Sequence, residues 1–240
     1  MTERSGKALR VVAVLVGLAA LAGIVVWYKF YRVVPQPAWI RADQRDTFLY
    51  GSVDADRVTG VPYWIWLALP RMFPEYTPAP GGYAALGLSW EEGREMPVGF
   101  AKQRIGYIRV SGNCALCHAT SLRNAPDEVP TVIPVVKGHT TDIQPLLTFF
   151  KRCAQDSRFN ADEILSEVET ATTLSLSDRL LYRFVLIPRT REALLDPSEV
   201  LFSPALLQHK DNPLSDAPFS GQQMKEMRMV MNSLAIAGKP

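Results

Sequence analysis

The sequence predicts a mainly α protein, with one N-terminal transmembrane helix followed by a loop-rich helical body. Three observations predict it. Val11 to Tyr28 is almost continuously apolar and carries no charge. Many of the 18 prolines fall between Pro35 and Pro134, which makes the first half of the body irregular. Beyond residue 140, apolar residues recur at helical spacing behind recognisable helix starts. Apolar residues make up 48% of the 240, enough for a real core. The formal net charge of +2 comes without any basic run, which argues against a nucleic-acid partner.

The chain divides into a cytoplasmic N-terminus (1–10), an anchor (11–30), a spacer and loop (31–59) and a body (60–240). At about 1.5 Å per residue the anchor is just long enough to span a bilayer. Arg4, Lys7 and Arg10 precede it. A cleaved signal peptide is the competing reading, because Ala20-Leu21-Ala22 resembles a small-residue cleavage site. The chain stays apolar past that point, however, where a cleaved signal turns polar. Trp27, Tyr28 and Tyr31 have the character of an interfacial aromatic belt. The expectation is an uncleaved anchor whose partner is the lipid bilayer.

Val33 to Ala42 contains Pro35 and Pro37 and reads as an extended spacer holding the body off the membrane. Asp43 to Thr59 is polar and weakly patterned. Pro62 then opens a short apolar helix, Tyr63 to Leu69, bounded or kinked by Pro70 and Pro74. It is too short for a second span, so it is a buried helix or one lying against a cofactor or the bilayer. Core packing is the commoner role of its tryptophans. Ile105 to Val110 alternates like a strand.

The body is organised around Cys114-Ala115-Leu116-Cys117-His118. This is CxxCH, the attachment signature of a c-type haem. Two thiols at this spacing reach the two vinyl groups of one porphyrin, and the adjacent histidine is placed to ligate the iron as its proximal ligand. Other readings compete. Cys114, Cys117, His139 and Cys153 make a Cys3His zinc set, but that leaves His118 unexplained. A thioredoxin-like dithiol needs a βαβ context that the sequence lacks. Two buried cysteines beside a surface histidine is the plainest reading. Haem explains all three residues. With two of the three cysteines so used, Cys153 is a single buried thiol.

The expected body is thus a cytochrome c-like helical haem domain carrying one covalent haem c, which itself supplies much of the core. Covalent attachment takes place outside the cytoplasmic membrane. The body is therefore expected on the periplasmic side of a bacterial cytoplasmic membrane, with the N-terminus in the cytoplasm.

Several stretches resemble a bacterial cytochrome group related to the rubber oxygenases and, more distantly, to the di-haem cytochrome c peroxidases. They are Gly60-Val61-Pro62-Tyr63-Trp64-Ile65-Trp66, Gly81-Gly82-Tyr83, Trp90-Glu91-Glu92-Gly93, Met96-Pro97-Val98-Gly99-Phe100 and Asn113 to His118. The resemblance covers roughly residues 50–162. It implies a periplasmic, all-helical, loop-rich haem protein with a redox function. Members of that group carry a second CxxCH farther along, and this sequence has none.

After the motif, Thr141 and Gln144 fit a capping box for a helix to about Ala154, with Ile143, Leu146, Leu147, Phe150 and Cys153 on one face. Asn160 and Glu163 start another, faced by Ile164, Leu165 and Val168. Ser177 can cap a third, which continues or kinks at Pro188. One or two further turns fall between Pro197 and Gln208. Ser220 and Gln223 open a C-terminal helix faced by Met224, Met227, Met231 and Leu234.

The second axial position decides between functions, since a closed iron passes electrons and an open one binds oxygen or peroxide. The candidates are His139 and the C-terminal methionines as a group, Met224 and Met227 ahead, then His209, and Met96 as a weaker one. The expected function is a membrane-anchored electron carrier working with an unidentified redox partner protein. The alternatives are an oxygen- or peroxide-activating haem enzyme, with Arg94, Glu95 or Arg109 as distal groups, and a non-catalytic haem subunit docking through Tyr63 to Leu69.

Overall fold

The computed structural model describes residues 2–53, 59–122, 131–134, 141–197 and 201. The chain is mostly helical. It opens with a long helix, α1 (Thr2–Val26), whose last residues widen into a π turn, Trp27–Tyr31. Within it and the π turn Val12–Tyr31 is long and apolar enough to cross a membrane, and no residue of it is buried in the protein.

The body contains more sheet than its proline-rich sequence suggests. Four antiparallel strands run in the order β1-β3-β4-β2, namely β1 (Val33–Val34), β3 (Phe100–Ile105), β4 (Tyr107–Gly112) and β2 (Val61–Pro62). The centre is a β3–β4 hairpin that pairs Phe100 with Gly112 and Ile105 with Tyr107. The alternating stretch from Ile105 is therefore not one strand. It breaks at Gly106, whose φ of +69° disfavours any other residue and turns the chain back. A second sheet pairs β5 (Ala119–Leu122) with β6 (Thr131–Pro134), so the CxxCH turn leads into a strand.

The expected spacer is part of the body. Val33 and Val34 pair with Ile105 and Arg104. Two short helices follow, α2 (Ala38–Ala42) and α3 (Gln44–Tyr50), with Ile40, Leu49 and Tyr50 buried. Gln36 ties the proline segment down, donating to the carbonyls of Tyr50 and Lys102. Two prolines made this stretch read as extended. They leave its carbonyls and the Gln36 amide free to bond, and the body uses them.

Helix α4 (Tyr63–Met72) lies at the centre of the core. Trp66 is stacked on Tyr83 with ring centroids 4.1 Å apart, and the Tyr83 hydroxyl donates to the Trp66 carbonyl at 2.7 Å. Phe100 and Phe150 pack against Trp66 at 5.0 and 5.6 Å. Aromatic side chains thus fill the centre themselves, contrary to the expectation that a cofactor supplies much of it. Because Tyr63, Ile65, Trp66, Ala68 and Leu69 are buried, that stretch is no docking face.

Three helical segments close the body. Helix α6 (Gln144–Gln155) buries Leu146, Phe150 and Cys153 as its pattern predicts. Its expected capping box does not form. The first-turn amide of Gln144 is instead taken by Asp142 at 2.9 Å. Helix α7 (Ala161–Ala171) starts where predicted, with the Asn160 side chain accepting from the amides of Asp162 and Glu163. Helix α8 (Leu176–Leu181) is capped by Ser175, two residues before the Ser177 expected. It runs through a π turn, Tyr182–Leu186, into α9 (Ile187–Ala193). Pro188 sits in the first turn of α9, where its missing N–H is tolerated, so the helix continues there. The expected helix from Ser220, with Met224 and Met227, lies outside the described residues.

Candidate haem-attachment site

Cys114 to His118 forms a single helical turn, α5 (Ala115–His118), wedged between β4 and β5. The amides of Cys117 and His118 both donate to the Cys114 carbonyl, at 3.2 and 3.0 Å. A turn of this kind brings residues three and four apart to one face, so both thiols and the imidazole share a side. Ala115 and Leu116, on the other side, are buried. Both cysteines are free and half-buried, and His118 is exposed.

Asn113 holds this turn from below. Its buried amide donates to the carbonyls of Leu49 and Gly51 at 3.2 and 3.1 Å, and its oxygen accepts from the Ala115 amide at 2.9 Å. The Asn113 amide in turn donates to the Gly99 carbonyl, and the Gly99 amide to the Leu49 carbonyl. Gly99 has φ +85°, and a Cβ there would lie 2.5 Å from the backbone of Leu116. The motif thus rests on α3 and on the start of β3, and only glycine permits that approach.

The supporting elements are clamped by a half-buried ionic cluster. Arg45 of α3 pairs with Glu91 and also donates to the Val132 carbonyl of β6 at 3.2 Å. The Tyr50 hydroxyl donates to Glu91 at 2.7 Å. Burial pushes the Tyr50 phenol well above its ordinary value, and its bond to Glu91 adds to that. Burial alone would raise the Glu91 carboxyl. Hydrogen bonds from Arg45 and Tyr50 outweigh it, so the net shift is downward.

The competing readings of the motif make demands on its donors. Burial, with Cys114 nearby, raises the Cys117 thiol, opposite to the depressed thiol of a reactive dithiol. Cys153 is fully buried in α6, its thiol pushed up by burial and then by Asp156. Among the described residues no three His, Cys, Asp or Glu side chains converge as metal ligands. A zinc site requires such convergence, whereas haem attachment does not, because the thiols bond the porphyrin edge and the histidine its centre.

The other candidates separate clearly. Met96 is buried in the wall of a cavity of about 200 Å³ that Trp39, Tyr50 and Phe100 also line, and no motif residue lines it. Arg94 pairs with Asp46 at 2.8 Å and lies 4.2 Å over the Trp39 ring. Glu95 pairs with Lys102 and accepts from Tyr63. Arg109 lies 4.4 Å over Tyr107. All three are engaged in the framework. His139, His209, Met224 and Met227 lie outside the described residues. Asn113, one position before the motif, gave no sign in the sequence of its clamping role. Gly99 lies in Met96-Pro97-Val98-Gly99-Phe100, where nothing local shows why glycine is required.

No family model, curated protein or solved structure matches the chain.

Proposed function

We propose that the protein is a membrane-anchored, single-haem c-type cytochrome that carries electrons on the periplasmic side of a bacterial cytoplasmic membrane. The observation that carries this reading is the placement of the motif. Two free thiols and an exposed imidazole share one face of a helical turn at the rim of a finished core. Cys114 and Cys117 would hold the porphyrin by thioether bonds, and His118 would ligate its iron. When bound, the haem supplies a one-electron couple. The chain's part is to fix that group at an outer face, where a partner protein can approach it, with Asn113 and Gly99 setting its position.

The resemblance to the rubber-oxygenase and peroxidase group makes an oxygen- or peroxide-activating enzyme the rival reading. Such an enzyme needs a distal acid or base. Of the candidate distal groups, Arg94 and Glu95 are ion-paired within the framework and Arg109 lies over the Tyr107 ring. The test is the ferrous absorption spectrum of matured protein with and without carbon monoxide. The carrier reading expects a low-spin spectrum that carbon monoxide leaves unmoved. A rapid shift would contradict it and direct attention to oxygen and peroxide.

A further inference from the structure

We propose that α8 and the π turn after it lie on the bilayer surface, as a second membrane contact beside the anchor. This rests on the reading of α1 as a membrane span. Leu176, Leu180 and Phe184 are 74%, 47% and 68% exposed, and Val185 beside them is 38% exposed. Single exposed apolar residues are ordinary, but a row of large ones four residues apart is a face. In a straight α-helix such a row drifts by about 40° per step. The wider turn over Tyr182–Leu186 reduces that drift and keeps Phe184 in line.

The position of α8 says what covers this face. Lys29, in the last turn of the anchor, pairs with Asp178 at 2.7 Å and donates to Ser177 at 3.1 Å. The β3–β4 turn meets the same spot, where the Gly106 amide donates to the Arg32 carbonyl and Tyr107 packs edge-on against Phe30. Trp27, Tyr28 and Tyr31 are exposed around it. Aromatic and basic residues at the end of an apolar span mark the headgroup level. Helix α8 is therefore held at that level, on the underside of the body. The π turn after it buries Tyr182 and Leu186 against the body. The leucine and phenylalanine row points the other way, away from the core and towards lipid. Arg179 and Arg183 flank it, paired with Glu169 and Asp162. Neutralised flanks around an apolar row suit the interfacial region, where binding scales with the apolar area buried.

The test places a benzophenone-bearing phenylalanine at position 184 of the full chain, in vesicles of phosphatidylethanolamine and phosphatidylglycerol. After illumination, adducts are identified by mass. Position 16 in the anchor and position 189, where the Arg189 side chain is 78% exposed, serve as references. The expected result is a lipid adduct at 184 comparable with that at 16 and about tenfold above that at 189. Lipid adducts at 16 with none at 184 would overturn the proposal and leave the anchor intact. So would a crosslinked dimer or an internal crosslink at 184, which would mean that a second copy or this chain's own C-terminal part covers the face. No lipid adduct at 16 either would remove the anchor and the proposal together.

Discussion

Asn113 makes three side-chain hydrogen bonds in a space closed to water, each to a backbone group. Asn113→Ala leaves the Gly51 carbonyl and the Ala115 amide short of a partner, while the Leu49 carbonyl keeps the Gly99 amide. At about 1–3 kcal/mol for an unsatisfied buried group, and with incomplete additivity, the cost should be about 2–4 kcal/mol. Denaturant unfolding of the full chain would measure it. Gly99→Ala should act on the site as well as on stability. Its methyl would meet the Leu116 backbone at 2.5 Å, so the turn carrying the cysteines must shift. The yield of covalent haem under fixed maturation conditions should fall. The CxxCH motif is read from spacing alone. The residues that aim it are not. An asparagine clamp and a glycine contact depend on what the fold brings within reach, here α3, some 60 residues earlier in the chain.

At the scale of elements, periodicity was legible wherever a helix buries one face. The faces of α6 and α7 and the cap at Asn160 follow from local rules. The strands β1 and β2 were not legible, because two-residue strands carry no period and are defined by their partners in β3 and β4. The same holds for α3, whose weak pattern conceals the Arg45–Glu91–Tyr50 cluster. That cluster makes a pH-dependent contribution. The Glu91 carboxyl is held below its ordinary value in the folded protein. Its contribution is therefore fully present above the unfolded value of about 4.3, and is lost as pH falls below that towards the folded value. Glu91→Gln should lower stability at neutral pH by about 1–2 kcal/mol and flatten the acid limb of a stability–pH profile. The limb should not vanish, since Glu95 is also depressed by Lys102 and Tyr63 against its burial. Thermal unfolding between pH 3 and 7 checks this, as an experimental range.

For the whole molecule, the body is not carried on a tether. The foot of the anchor is paired into the sheet through β1, bonded to the β3–β4 turn and ion-paired to α8. A Cβ at Gly106 would overlap the Lys29 carbonyl, so body and anchor meet backbone to backbone there. Gly106→Val should loosen that junction, seen as faster amide hydrogen exchange over residues 29–34 and 104–107. A sequence reading that separates anchor, spacer and body misses this, because the proline pair suggests extension and the pairing partner lies some 70 residues away. A rigid junction also fixes which face of the body looks away from the membrane. On the proposed carrier reading, the haem would stand at a set height and angle, and the partner would come to it.

The central claim is that Cys114 and Cys117 carry one haem through thioether bonds. The most direct test is the intact mass of the denatured protein after expression with a haem-attachment system, compared with the Cys114→Ala/Cys117→Ala variant. The account predicts that the wild type is heavier than its bare chain by one haem, that the added mass survives denaturation, and that the double variant lacks it. A wild type with the mass of the bare chain and two titratable thiols at 114 and 117 would contradict it.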